Sequence, residues 1–99
     1  MPILSEKDIR ERLKSLDRWK LVQGEIVREA TFKDFVEAMS FVNRVAEKAE
    51  SAGHHPDIDI RYNKVRLALT SHDAGGLTSR DFNLATSIEA ILAANPTRP

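Results

Sequence analysis

All three histidines of this 99-residue chain fall in one short span, His54 and His55 adjacent and His72 farther on. An imidazole titrates at about 6.5 when unperturbed, so near neutrality it can both give and take a proton. Pro56 biases His55 away from the helical region and makes a turn of His54-His55-Pro56, where a long helical pattern stops and a strand pattern begins. That is a rim position, suited to presenting side chains. A lone histidine reads as structural more readily than catalytic, but three at turn positions reverse the preference. His54, His55 and His72 are therefore the candidate catalytic and ligand-contacting groups. Glu50 stands one helical turn before His54, within reach of it. Asp81 belongs to a Thr78-x-x-Asp81 helix start, where capping alone explains it as well as a site role does. A metal site built from the three histidines and a carboxylate such as Asp57 ranks lower. Adjacent histidines bind one ion awkwardly and no helical His-x3-His supports them, so no metal ligand is assigned. Gly75-Gly76 reads as a loop-to-helix bend, since no Lys-Ser or Lys-Thr follows as in a phosphate cradle.

The flanking patterns predict the elements that hold these groups. Ser5 as N-cap, Asp8 in the capping-box place and a Leu4–Ile9 staple open a short amphipathic helix over 6–16, with Ile9, Leu13 and Leu16 on one face. Strands follow near 18–22 and 25–31, joined by Gln23-Gly24, where glycine can take the positive φ of a tight hairpin. Thr31-x-x-Asp34 repeats the cap pattern ahead of the longest helix. Its stripe of Phe35, Met39, Val42, Ala46 and Ala49 reads as core, and Gly53 reads as its stop. Ile58, Ile60 and Tyr62, then Val65, Leu67 and Leu69, alternate with polar or small residues on either side of Asn63-Lys64. This is a second hairpin with one buried face. Thr70, Ser71 and His72 lie at its end, in a polar loop that runs to Gly76. A last helix opens at Thr78 and turns Leu84, Ile88 and Ile91 inward, while Asn95–Pro99 reads as a frayed tail. Trp19 and Tyr62 read as packing residues.

The predicted order is α-β-β-α-β-β-α: an α+β domain with one four-stranded antiparallel sheet and three helices packed on one face. Ninety-nine residues, 41% of them hydrophobic, suffice for one domain over residues 1–99. Fifteen basic and fifteen acidic residues cancel, so no field of one sign invites nucleic acid or an anionic membrane. There is no cysteine for a disulfide or a thiolate metal site, and no apolar N-terminal run for a signal peptide or membrane span. The expectation is a soluble, cytoplasmic protein.

Written with its spacings, the span is Glu50-x3-His54-His55-Pro56-x5-Tyr62-x9-His72-x8-Asp81. These seven residues, with Tyr62-Asn63-Lys64-Val65 and Gly76-Leu77-Thr78-x-x-Asp81-x-Asn83-Leu84-Ala85, resemble the signature of the pterin-4a-carbinolamine dehydratases. The order of elements extends the likeness over most of the chain. Gly53, where many members have Asn or Asp, and Ile58, where they have an aromatic residue, depart from the pattern beside the pocket and bear on substrate preference. The resemblance implies dehydration of a 4a-hydroxytetrahydropterin to quinonoid dihydropterin and water, without a cofactor, in the recycling of a tetrahydrobiopterin-type cofactor. It implies His55 and His72 as leading acid–base groups and His54 as secondary in binding and catalysis. Thr70 and Ser71 would contact the pterin, with Glu50 and Asp81 as supports. It further implies a homodimer or homotetramer and a functional link to a pterin-dependent aromatic amino-acid hydroxylase. The alternative is a non-catalytic pterin-binding or interaction module, since animal members of the family assist dimerisation of a homeodomain transcription factor.

Overall fold

A computed structural model of the chain describes residues 3–94, so the reading of Asn95–Pro99 as a frayed tail lies outside the described residues. The elements are α1 (Glu6–Leu13), β1 (Trp19–Val22), β2 (Glu25–Thr31), α2 (Phe35–Ala52), β3 (Asp57–Arg61), β4 (Lys64–Leu69) and α3 (Ser79–Ala94). The order and α+β class are those expected. The strands form one antiparallel sheet in the order β1-β2-β4-β3.

Ser5 caps α1, its hydroxyl accepting from the Asp8 amide at 3.1 Å. The helix stops at Leu13, short of the expected 16, and Leu16 is buried in the irregular segment that follows. Gln23 and Gly24 both take positive φ, 50° and 81°. This is the pattern of a two-residue I′ turn, whose twist matches that of the strands it joins.

Period-two alternation fixes which strand residues meet the helices. Ile26 lies opposite Leu69, Arg28 opposite Leu67 and Ala30 opposite Val65. Ile26, Val65, Leu67 and Leu69 join Phe41, Val45, Phe82 and Ile88 from the helices in one buried cluster. Arg28 also points into this face. It is accommodated because its Nε donates to Glu89 Oε1 at 2.6 Å, an oxygen that also accepts from Trp19 Nε1 at 2.9 Å. A buried charge persists only with such partners.

Three expectations are corrected. Asp34, not Thr31, caps α2: its side chain accepts from the Glu37 amide at 2.9 Å, while Thr31 ends β2. The buried stripe of α2 is Ala38, Phe41, Val42, Val45 and Ala49, and Phe35 and Val36 are 49% and 76% exposed. At 100° per residue the buried stripe is turned roughly 60° from the expected one. Apolar residues occupy both sides of this helix, so periodicity alone admits either face. The second hairpin turns at Tyr62-Asn63, because Asn63 is fastened to Phe32 by two hydrogen bonds of 2.8 Å each, carbonyl from amide and side-chain amide to carbonyl. Tyr62 is thereby left at φ 56° and 66% exposed, and it is not a packing residue.

Candidate active site

The histidine pair is placed by the end of α2. Gly53 takes φ 64°, and the His54 amide reaches back to the Ala49 carbonyl at 3.1 Å. This left-handed cap reverses the chain at the end of the helix. His54 turns inward and is 8% exposed, whereas His55 faces solvent. Glu50 consequently pairs with His55, Nε2 to Oε2 at 2.5 Å, and not with His54. The one-turn spacing does not carry across a cap that leaves helical geometry.

His54 finds its partner 27 residues on in the sequence, in the first turn of α3. Its Nε2–H donates to Asp81 Oδ1 at 2.6 Å; a carboxylate only accepts, which sets the imidazole tautomer. Asp81 is fully buried and caps the start of α3 together with Thr78. Its Oδ2 accepts from the Thr78 amide at 2.9 Å, while Thr78 Oγ1 accepts from the Arg80 amide at 3.2 Å. The same Oδ2 accepts from Ser71 Oγ at 2.9 Å. Having given its one hydroxyl proton to Asp81, Ser71 must accept from Thr78 Oγ1, 2.8 Å away. The capping and site readings of Asp81 are thus both realised, through different oxygens. The network ties the end of α2, the loop after β4 and the start of α3 together.

His72 lies in that loop, one residue beyond the buried Ser71 and exposed. The loop is closed by a Ser71–Gly76 bridge and by Arg80 Nη2 donating to Asp73 Oδ1 at 2.6 Å. This hydrogen bond, with the nearby guanidinium charge, holds the Asp73 carboxyl below its ordinary 3.8 despite an opposing desolvation effect. Thr70 Oγ1 donates to the Gly24 carbonyl at 3.3 Å, pinning the end of β4 to the first hairpin turn.

His72 is also brought to two carboxylates. One ligand atom each from Glu25, Asp57 and His72 lies within 4.8 Å of the others. Strand register explains the gathering, since β4 has β2 on one side and β3 on the other. From the sequence Asp57 reads only as a carboxylate for a lower-ranked metal site, and Glu25 carries no signal. Glu25's place beside His72 depends on a strand order that sequence spacing does not express.

Each histidine thus has an acidic neighbour: Asp81 for His54, Glu50 for His55, Glu25 and Asp57 for His72. His54 borders a groove of about 280 Å³ between the end of α2 and α3, walled by Lys48, Ser51, Arg80, Asn83 and Ser87 among others. Sequence reading assigned Lys48 and Arg80 no role there. Among the described residues no helix is long and apolar enough to cross a membrane.

A small α+β domain with imidazole–carboxylate pairs around one end of its sheet is equipped for proton transfer. The family model described as pterin 4 alpha carbinolamine dehydratase matches residues 2–91, and the chain belongs to that family. A protein of Acidobacterium capsulatum assigned as a pterin-4-alpha-carbinolamine dehydratase is 70% identical over 92 residues, covering 93% of this chain and 100% of its own. A protein of Nostoc sp. with the same assignment is 51% identical over 89 residues, 90% of this chain and 96% of its own. Among solved structures, one from Brucella melitensis described as a transcriptional coactivator/pterin dehydratase matches with TM-score 0.86 and 36% identity. It covers 90% of this chain and 97% of that one. A pterin dehydratase-like protein described as a RuBisCO assembly factor in the alpha-carboxysome shares the fold, with TM-score 0.63 and 18% identity over 79% of this chain and 90% of that one.

Proposed function

We propose that this protein dehydrates a 4a-hydroxytetrahydropterin to quinonoid dihydropterin and water by histidine acid–base catalysis. A carbinolamine carries hydroxyl and amine nitrogen on one carbon. Loss of water needs a proton delivered to the departing hydroxyl and one removed from the nitrogen that becomes an imine. There is no net oxidation or reduction, and no metal or organic cofactor is called for. The observation that carries this reading is the buried His54–Asp81–Ser71 network, which locks together the two chain segments bearing His54, His55 and His72. Two exposed imidazoles, His55 and His72, then stand free to exchange protons with a ligand. In this scheme they are the acid–base pair, His54 orients and binds, Thr70 and Ser71 shape the loop against the pterin, and Glu50 and Asp81 hold their imidazoles. The test is dehydration of freshly prepared 4a-hydroxytetrahydropterin, followed by ultraviolet absorbance against the uncatalysed background. Turnover well above background is expected; bound reduced pterin without turnover would replace the enzyme by a pterin-binding module.

The setting that fits this chemistry is recycling of a tetrahydropterin cofactor in the cytoplasm, alongside a pterin-dependent aromatic amino-acid hydroxylase. The working unit is a homodimer or homotetramer. Phe35 and Val36, exposed on the outer side of α2, and the edge strands β1 and β3 are surfaces that association covers. Light scattering at micromolar concentration should give a mass of at least twice the 11.1 kDa of the chain.

A further inference from the structure

The motif that marks the histidines contains neither Glu25 nor Asp57, yet the fold delivers both to His72. Glu25 opens β2 directly after the Gln23–Gly24 turn, Asp57 opens β3 directly after Pro56, and His72 lies just beyond the end of β4. Their ligand atoms form a triangle with no side longer than 4.8 Å. The centre of such a triangle lies at most about 2.8 Å from each corner, a hydrogen-bond length. One hydroxyl-sized group at that centre meets all three groups. Two carboxylates so close repel each other unless a donor stands between them; a group that donates to both has only its lone pair left for the third corner, the imidazole nitrogen, which must then donate to it.

We infer that Glu25 and Asp57 are positioning residues for His72: they commit one ring nitrogen to the proton-bearing form and orient the ring so that the other faces the substrate. Ionised carboxylates accept and never donate, so a hydroxyl-sized group shared among the three gives its hydrogens to the acids, and the ring nitrogen turned toward it carries hydrogen. His54 and His55 each lean on a single carboxylate at hydrogen-bond distance. His72, on a loop and exposed, is steered instead by two acids supplied by neighbouring strands.

This inference rests on the dehydratase reading, and the experiment separates the two. Turnover, unfolding midpoint and the ring ¹⁵N shifts of His72 are measured for wild type, Glu25→Gln, Asp57→Asn and His72→Gln, with freshly prepared 4a-hydroxytetrahydropterin as substrate. Glu25→Gln and Asp57→Asn should each lower kcat about tenfold through misorientation, leave KM within about twofold, and leave the midpoint unchanged. The His72 shifts should move toward a mixture of tautomers, a signature that loss of mere surface charge would not produce. His72→Gln inactive beside unaltered turnover and ring shifts in the two carboxylate variants overturns this inference alone. His72→Gln at wild-type turnover overturns the acid–base reading and this inference with it. Wild-type protein that loses turnover in chelator and regains it with zinc would make the trio a cation site and likewise overturn the positioning role.

Discussion

His54 and His55 are neighbours in sequence with the same side chain and the same kind of partner, yet they occupy opposite environments. His54 is buried against an aspartate that is fully enclosed, while His55 and Glu50 are both exposed. In the interior a polar group must be satisfied or it destabilises the fold, so Asp81 accepts from His54, Ser71 and Thr78 together. At the rim a similar pair competes with water and adds little stability. The difference bears on the proposed division of labour: an imidazole woven into the core network is bound to the scaffold, and one at the rim is the side chain the proposed chemistry assigns to proton transfer.

The largest expected effect tests that division directly. His55→Gln and His72→Gln should each lower turnover by roughly 10²–10⁴, the usual range for acid–base groups, with an unfolding midpoint like that of wild type. His54→Gln should do the reverse, losing stability with a smaller loss of rate per folded molecule. If both rim variants keep near-wild-type turnover while binding pterin normally, the division between scaffold and chemistry falls.

Next comes Asp81→Ala. It strands the His54 imidazole, the Ser71 hydroxyl and the Thr78 amide at once, and should cost about 3–5 kcal/mol in urea unfolding. For a domain of this size that lowers Tm by more than 10 °C on the rough scale of 4–8 °C per kcal/mol. Glu50→Gln, made at the other histidine of the pair, should shift stability by no more than about 1 kcal/mol. Comparable losses from the two variants would mean that burial does not separate them.

How much of this was legible beforehand follows the range of the interactions. The Gly53 stop, the Ser5 cap and the Thr78-x-x-Asp81 helix start are set within a few residues, and sequence spacing locates them, whereas the turn expected at His54-His55-Pro56 falls at Gly53 instead. The alternation of Val65, Leu67 and Leu69 likewise marks the buried face of β4, whereas the matching alternation in β3 does not, since Ile58 is exposed. Periodicity misplaces the inward face of α2 because Phe35, Met39 and Ala46 make a second apolar side that it cannot rank below the first. Spacing points Glu50 to His54 because i to i+4 neighbours meet inside a helix, but Gly53 ends the helix between them. Glu25, Arg28 and Glu89 are invisible to spacing for a different reason. Their partners lie in distant parts of the chain, and only the order β1-β2-β4-β3 and the packing of α3 bring them together.

The smallest effect belongs to Asp73 and Arg80, and its sign with pH is what makes it informative. Arg80 holds the Asp73 carboxyl below 3.8, its ordinary value. A depressed carboxylate favours the folded state above its unfolded value, and that contribution fades as pH falls through the lower, folded value. Asp73 is largely exposed, so the contribution is small at any pH. Asp73→Asn should therefore lower the unfolding midpoint slightly at pH 7, and the curves of variant and wild type should draw together as the pH is taken well below 3.8. Because the pair closes the loop next to His72, turnover at pH 7 should fall more noticeably than stability does. A loss of stability as large as that of Asp81→Ala, or one that grows in acid, would place this exposed pair with the interior network and break the contrast between core and rim.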